Sequence, residues 1–210
     1  MCNLRTSVGV AVLVWTCGVS QGGITYNAQS RSVSALAAPS SDGASAPDFG
    51  SFQASRSASS IYGTGAWASQ SSVLLDEGMF TQGGCGSNGG MQFFSASARS
   101  TFDVTFTVDD PRQYRFWGGV TLDAFEATAN GEVMLTGPNG AIYENFGAGD
   151  WDMSGIAEPG QYRLLIRVTT SAAGGPISST GLFYGGFVIP GPGSACVLMG
   201  LCGLGTRRRR

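Results

Sequence analysis

Two stretches of the chain alternate without interruption. In "TFDVTFTV", Phe102, Val104, Phe106 and Val108 take every second place, and Thr101, Asp103, Thr105 and Thr107 fill the others. In "QYRLLIRV", Tyr162, Leu164, Ile166 and Val168 form the apolar set, with Arg163 and Arg167 between them. A period of two with one polar face predicts antiparallel strands packed on one side only. Turn chemistry separates such runs. "GPNG" at 137–140 divides "EVMLT" from "AIYENF" and predicts a hairpin. "EPGQY" at 158–162 turns the chain into the Tyr162 strand. Weaker strands are expected at 24–36, 53–61, 66–75, 91–99, 114–122 and 182–189. That makes about ten strands and no amphipathic helix. The pattern predicts an all-β domain, an antiparallel two-sheet β-sandwich of jelly-roll type.

Some of these strands are poor in large apolar residues. "QSRSVSA", "QASRSASS" and "FSASARS" are built from serine and alanine. Small side chains there let sheets approach closely or leave a flat outer face. "APSSDGASAPDFG" at 38–50 lacks core formers and is expected to be a long loop. "PGQYRL" at 159–164 resembles the late strand of many secreted bacterial jelly rolls, a short match that bears on fold alone.

The two ends read differently. Residues 1–22 carry Arg5, a short apolar run over 7–15, and small residues at Gly18, Ser20 and Gly22. That order predicts a secretory signal peptide with its helix, too short for an ordinary membrane span. A buried N-terminal element is the alternative, and Cys17 leaves a lipoprotein signal open. Residues 190–210 have three parts: Pro190-Gly191-Pro192, an apolar stretch over 195–205, and four arginines, Arg207, Arg208, Arg209 and Arg210. Arginines beside an apolar span stay on the cytoplasmic side, so the body is expected outside. As a helix, 193–205 would reach about 20 Å, against a hydrocarbon core of about 30 Å. So short a transmembrane helix suits a transient signal, although a plain anchor or a buried C-terminal strand are alternatives.

This tripartite tail resembles the PEP-CTERM sorting signal of bacterial surface proteins. The two prolines of that motif map to Pro190 and Pro192, the span to 195–205, and the basic end to Arg207–Arg210. Gly191 stands where the family pattern has glutamate. The resemblance implies a partner, an exosortase-like membrane protease that processes the tail, and delivery to the envelope or into exopolysaccharide. It covers the two ends and leaves the body, 23–189, to be read on its own.

Composition narrows what the body does. The chain has no histidine and no lysine. Histidine general bases, histidine metal ligands and lysine Schiff bases are therefore excluded. Residues 23–189 hold seven arginines against all fourteen acids, which leaves −7. Such a domain repels nucleic acid. Of five cysteines, only Cys85 lies in the body, in "GGCGSNGG", and one cysteine forms no internal disulfide.

Three sets of candidate residues remain. Asp109 and Asp110 end a strand, and Asp150 and Asp152 flank Trp151 in "GAGDWDMSG". Each pair is a candidate calcium site or a pair of turn acids, and no other cofactor is expected. Paired acids also run glycoside hydrolysis, but any acidic sandwich offers such pairs. Trp67, Trp117 and Trp151, helped by Tyr62 and Tyr143, are candidate sugar-stacking residues. Adjacent strand residues face opposite ways, so one of Phe116 and Trp117 must leave the core. The expectation is an exported, non-catalytic surface or matrix protein. A secreted carbohydrate-binding module is the alternative, and a secreted glycan hydrolase stands third.

Overall fold

The structure, a computed structural model, describes residues 23–90 and 94–190. Twelve strands run through them: β1 (Ile24–Ala37), β2 (Ser40–Ser45), β3 (Phe52–Ser59), β4 (Gly65–Leu75), β5 (Gly78–Asn88), β6 (Ser95–Val108), β7 (Arg112–Phe125), β8 (Thr128–Gly137), β9 (Gly140–Phe146), β10 (Gly149–Ala157), β11 (Gly160–Ala173) and β12 (Ser178–Val188). They form two six-stranded antiparallel sheets. The first has the order β2-β1-β6-β11-β8-β9, and the second β10-β7-β12-β5-β4-β3. No helix among the described residues is long and apolar enough to cross a membrane. The expected signal helix, the apolar span, Gly191, Pro192 and Arg207–Arg210 lie outside the described residues. Pro190 is described, and it is exposed just past β12.

The pairing is nested. β8 pairs with β9, β7 with β10, β6 with β11, and β5 with β12. A long hairpin rolled into two sheets gives this pattern, which is the jelly roll. β1–β2 extends one sheet beyond β6, and β3–β4 extends the other beyond β5.

The alternating runs carry the core. Phe102, Val104, Phe106 and Val108 are buried on β6, and Tyr162, Leu164, Ile166 and Val168 on β11. Rings from the second sheet meet them, with Phe106 and Phe187 centroids 5.0 Å apart. The serine–alanine strands use their small residues inward: Ala35, Ala37, Ala58, Ala66, Ala68, Ala96 and Ala98 are all buried. On the outer face of the first sheet, Arg163 grips Asp103 (2.8 and 2.7 Å) and Arg167 pairs with Glu132. That face is a solvated, charge-matched surface.

Three expectations change. Residues 38–50 are not all loop: β2 pairs with β1 at the sheet edge, where backbone bonds suffice and no core face is needed. Residues 91–99 and 101–108 do not make two strands. From Ser95 onward they are the single strand β6, while 91–93 lie outside the described residues. β5 and β10 are strands the alternation did not announce.

Both ends of the strand region meet one turn. The Ile24 amide donates to Asp76 O and the Ile189 amide to Glu77 O, each at 2.8 Å. The Tyr26 hydroxyl lies 2.8 Å from Leu75 O and from Gly78 O, which fixes β1 to the same β4–β5 hairpin.

Candidate functional site

The outer face of the second sheet is unlike that of the first. Register places its side chains in rows. Trp67 on β4 lies opposite Gly86 on β5, which lies opposite Thr180 on β12. Two residues along, Ser69 and Leu182 flank Gly84. The next row runs Gln53, Ser71, Gln82, Tyr184 and Gly119, ending at Asp150. The row after that holds Val73, Phe80, Gly186, Trp117 and Asp152.

Trp67 is 40% exposed, Phe80 39% and Tyr184 52%, and Trp117 is half-buried. Glycine makes room for the larger rings. A Cβ on Gly186 would meet Trp117 Cη2 at 2.7 Å and Cζ2 at 2.9 Å. A Cβ on Gly86 would strike the Trp67 indole. Each ring therefore occupies the space above a neighbouring strand's backbone. Phe80 packs edge-on to Trp117 at 5.7 Å, and the Arg115 guanidinium lies 5.5 Å from the Trp117 ring.

Between the rings lies a neutral polar floor of Gln53, Ser69, Ser71 and Gln82. Two adjoining depressions of about 520 and 430 Å³ cover it, sharing Gln53, Ser71, Gln82 and Tyr184. Trp67 and Leu182 border the first, Phe80 and Trp117 the second. Flat apolar rings beside amides and hydroxyls are the chemistry that holds a sugar: the rings take the apolar face of a pyranose, and the floor takes its hydroxyls.

The expected sugar-stacking residues thus separate. Trp67 and Trp117 lie on this face. Phe116 is fully buried and Trp117 points outward, so the alternation divides that pair as expected. Trp151 does not join them. It is 6% exposed and faces inward from β10, its ring 5.4 Å from Phe116 and 5.8 Å from Tyr143. Its odd-numbered place on a strand whose outer set is Asp150, Asp152, Ser154 and Ile156 puts it in the core. Tyr143 is a core-edge residue by the same contacts. Tyr62 stacks on Phe94 at 3.9 Å, in the β3–β4 connection. Phe80, Gln82, Gln53, Leu182 and Tyr184 were absent from the candidates. The signal that could have found them is the register of β5 against β12, which the glycines of both strands obscure.

The acids do not converge. Asp109 and Asp110 sit in the β6–β7 turn, and Arg112 is 4.0 Å from Asp110. Asp152 lies opposite Trp117, five residues along β7 from Arg112, or about 17 Å of strand. The Arg115 guanidinium holds Asp152 through two bonds of 2.9 and 2.7 Å. That hydrogen bonding keeps the Asp152 carboxyl below its usual range. Asp150 is exposed, 3.5 Å from the Tyr184 hydroxyl. Among the described residues no three aspartates, glutamates or cysteines form a metal-binding group. Cys85 is buried on the inner face of β5, and burial pushes its thiol up to about 11.

No protein-family model matches the chain, and no curated protein matches it. Among solved structures, that of infectious bursal disease virus Gx strain is similar over 83% of this chain and 67% of that one, at 11% identity and a TM-score of 0.21. The GH31 alpha-xylosidase of Xanthomonas citri is similar over 80% of this chain and 28% of that one, at 8% identity and a TM-score of 0.21. Likenesses this distant carry no argument about activity.

Proposed function

We propose that the chain is an exported, non-catalytic protein of the cell surface or extracellular matrix, and that the outer face of its second sheet holds glycan. The observation behind this reading is the solvent-facing set of Trp67, Phe80, Tyr184 and Trp117 around a neutral polar floor. Export rests on the sequence of the two ends, with the Pro190–Pro192 segment and Arg207–Arg210 as the sorting tail that an exosortase-like protease would process.

Asp152 is unsuited to the general acid's part in hydrolysis. Glycoside cleavage needs one carboxyl kept protonated near neutral pH. Asp152 has the opposite environment, since Arg115 stabilises its charged form. Calcium gains no support from the separated acid pairs.

Affinity electrophoresis in polysaccharide gels tests the binding. The wild-type protein is expected to be retarded, and Trp67→Ala and Trp117→Ala to be retarded less. A stacked ring contributes about 0.5–1.5 kcal/mol beyond its buried area. Each loss should therefore weaken binding about tenfold once area is included. Equal mobility of wild type and both variants in every gel would remove glycan binding from the reading.

A further inference from the structure

The binding face has a length and a charge, and together they select among glycans. Trp67 lies in the row of Thr180, while Phe80 and Trp117 lie in the row of Gly186. Six residues of β12 separate the rows, about 20 Å along the sheet. One sugar ring cannot touch both ends. The polar residues of the floor lie between them, on the rows of Leu182 and Tyr184. Trp67 and the Phe80–Trp117 pair therefore sit at the two ends of a shallow path over β4, β5, β12 and β7, with Tyr184 between them.

The charge is as telling. Asp123, Asp150 and Asp152 project on this side from β7 and β10, in the rows of Thr180, Tyr184 and Trp117. The one cation on this face among the described residues is Arg115, and Asp152 already holds it by two bonds. The floor is neutral. A ligand bearing carboxylates would find no free guanidinium here and would meet Asp123 and Asp150, for which no other arginine among the described residues lies on this face to offset the charge.

We propose that this face takes a neutral, extended polysaccharide chain, several sugar units long, and rejects polyuronates. The proposal rests on the glycan-binding reading above and specifies its ligand. Trp67 and the Phe80–Trp117 pair stack the outer sugars, Gln53, Ser71 and Gln82 bond the hydroxyls between, and the acids of β7 and β10 set the charge preference.

Calorimetry with defined oligosaccharides is the test. The probes are cello-, xylo- and manno-oligosaccharides of two to six units, with alginate and polygalacturonate oligomers of the same lengths. At least one neutral series should gain affinity steeply with length and then level off, with the hexamer bound at least tenfold more tightly than the dimer. Uronate oligomers should bind at least tenfold more weakly than neutral ones, and Asp123→Asn with Asp150→Asn should narrow that gap. Trp67→Ala should flatten the length dependence while leaving a short ligand bound at the Trp117 end. A dimer bound as tightly as a hexamer overturns the extended path. A uronate bound as tightly as a neutral oligomer overturns the charge selection. No binding by any neutral or acidic oligomer, with the fold intact by circular dichroism, overturns the glycan reading itself. A second copy of the chain covering the face at working concentration, seen by light scattering and abolished by Trp117→Ala, overturns both.

Discussion

Among the described residues, Arg31 is the largest side chain sealed from solvent. Its hydrogen bonds go to neutral oxygens: Asp48 O at 2.6 Å, Gly50 O at 2.8 Å, Gln29 Oε1 at 3.2 Å and Ser72 Oγ at 3.3 Å. Burial lowers its pKa, against the pull of the nearby Asp48 charge. The guanidinium thus ties the 46–51 connection, between the two sheets, to β1. Arg31→Met would fill the apolar volume but leave two carbonyls without donors. Both bonds are part-buried, so each lost donor costs about 1 kcal/mol, the low end for an orphaned acceptor; the urea midpoint should fall and limited proteolysis should cut near residue 49. Trp151 and Trp117 make a matched pair for the aromatic face. Trp151→Ala should cost about 3–5 kcal/mol of stability, as deletion of a core ring does. Trp117→Ala should leave the melting temperature nearly unchanged and act on binding. Cys85 gives a pH signature. Its thiol stays protonated in the fold up to about 11, against an ordinary value of 9.0. The unfolded chain ionises first, so this contribution is intact below pH 9 and is lost as pH rises from 9 through 11. Tyr26 and Tyr162, also raised by burial, act in the same direction. Denaturation midpoints for wild type and Cys85→Ala should converge across that window.

At the level of elements, what could be read depended on side-chain contrast. β6 and β11 were plain because bulky apolar residues alternate with threonine, aspartate and arginine. The Pro138–Asn139 hairpin was plain because its turn residues are specific. β5 was hidden: "GGCGSN" offers no contrast, because its outer positions Gly84 and Gly86 lie under Leu182 and Trp67. β2 was hidden for another reason, since an edge strand of serine, aspartate and glycine buries nothing. The candidate site inherited both faults. Trp67 and Trp117 were found by residue type, while Gln82, Phe80 and Tyr184 depend on a pairing that no single segment displays. Trp151 was misplaced because flanking aspartates looked like a surface loop, whereas they are the outer half of a strand. The glycines make their own prediction. Gly186→Ala puts a methyl group where Trp117 lies and should tilt the ring. Binding should weaken about as much as in Trp117→Ala, and tryptophan fluorescence should shift toward that of exposed indole.

For the whole molecule, the proposed placement outside the cell rests on the sequence of the two ends, and the jelly roll is the part that would be displayed there. Fractionating cells that express the chain with and without the residues after Ile189 tests that placement. The full chain is expected at the surface or in the matrix, the shortened chain in the soluble exported pool. Equal distribution of the two would sever the tail from sorting. The meeting of Ile24 and Ile189 at the Asp76–Glu77 turn has a mechanical result. A tug on Ile189 directed along β12 would load that strand along its own axis. That strand is laced over all 11 of its residues to β5 on one side and β7 on the other. The ladders are strained in shear, so they resist together instead of peeling one bond at a time. The same strand carries Leu182 and Tyr184, so under the proposed function the pull of a tether would pass into the very face proposed to hold glycan.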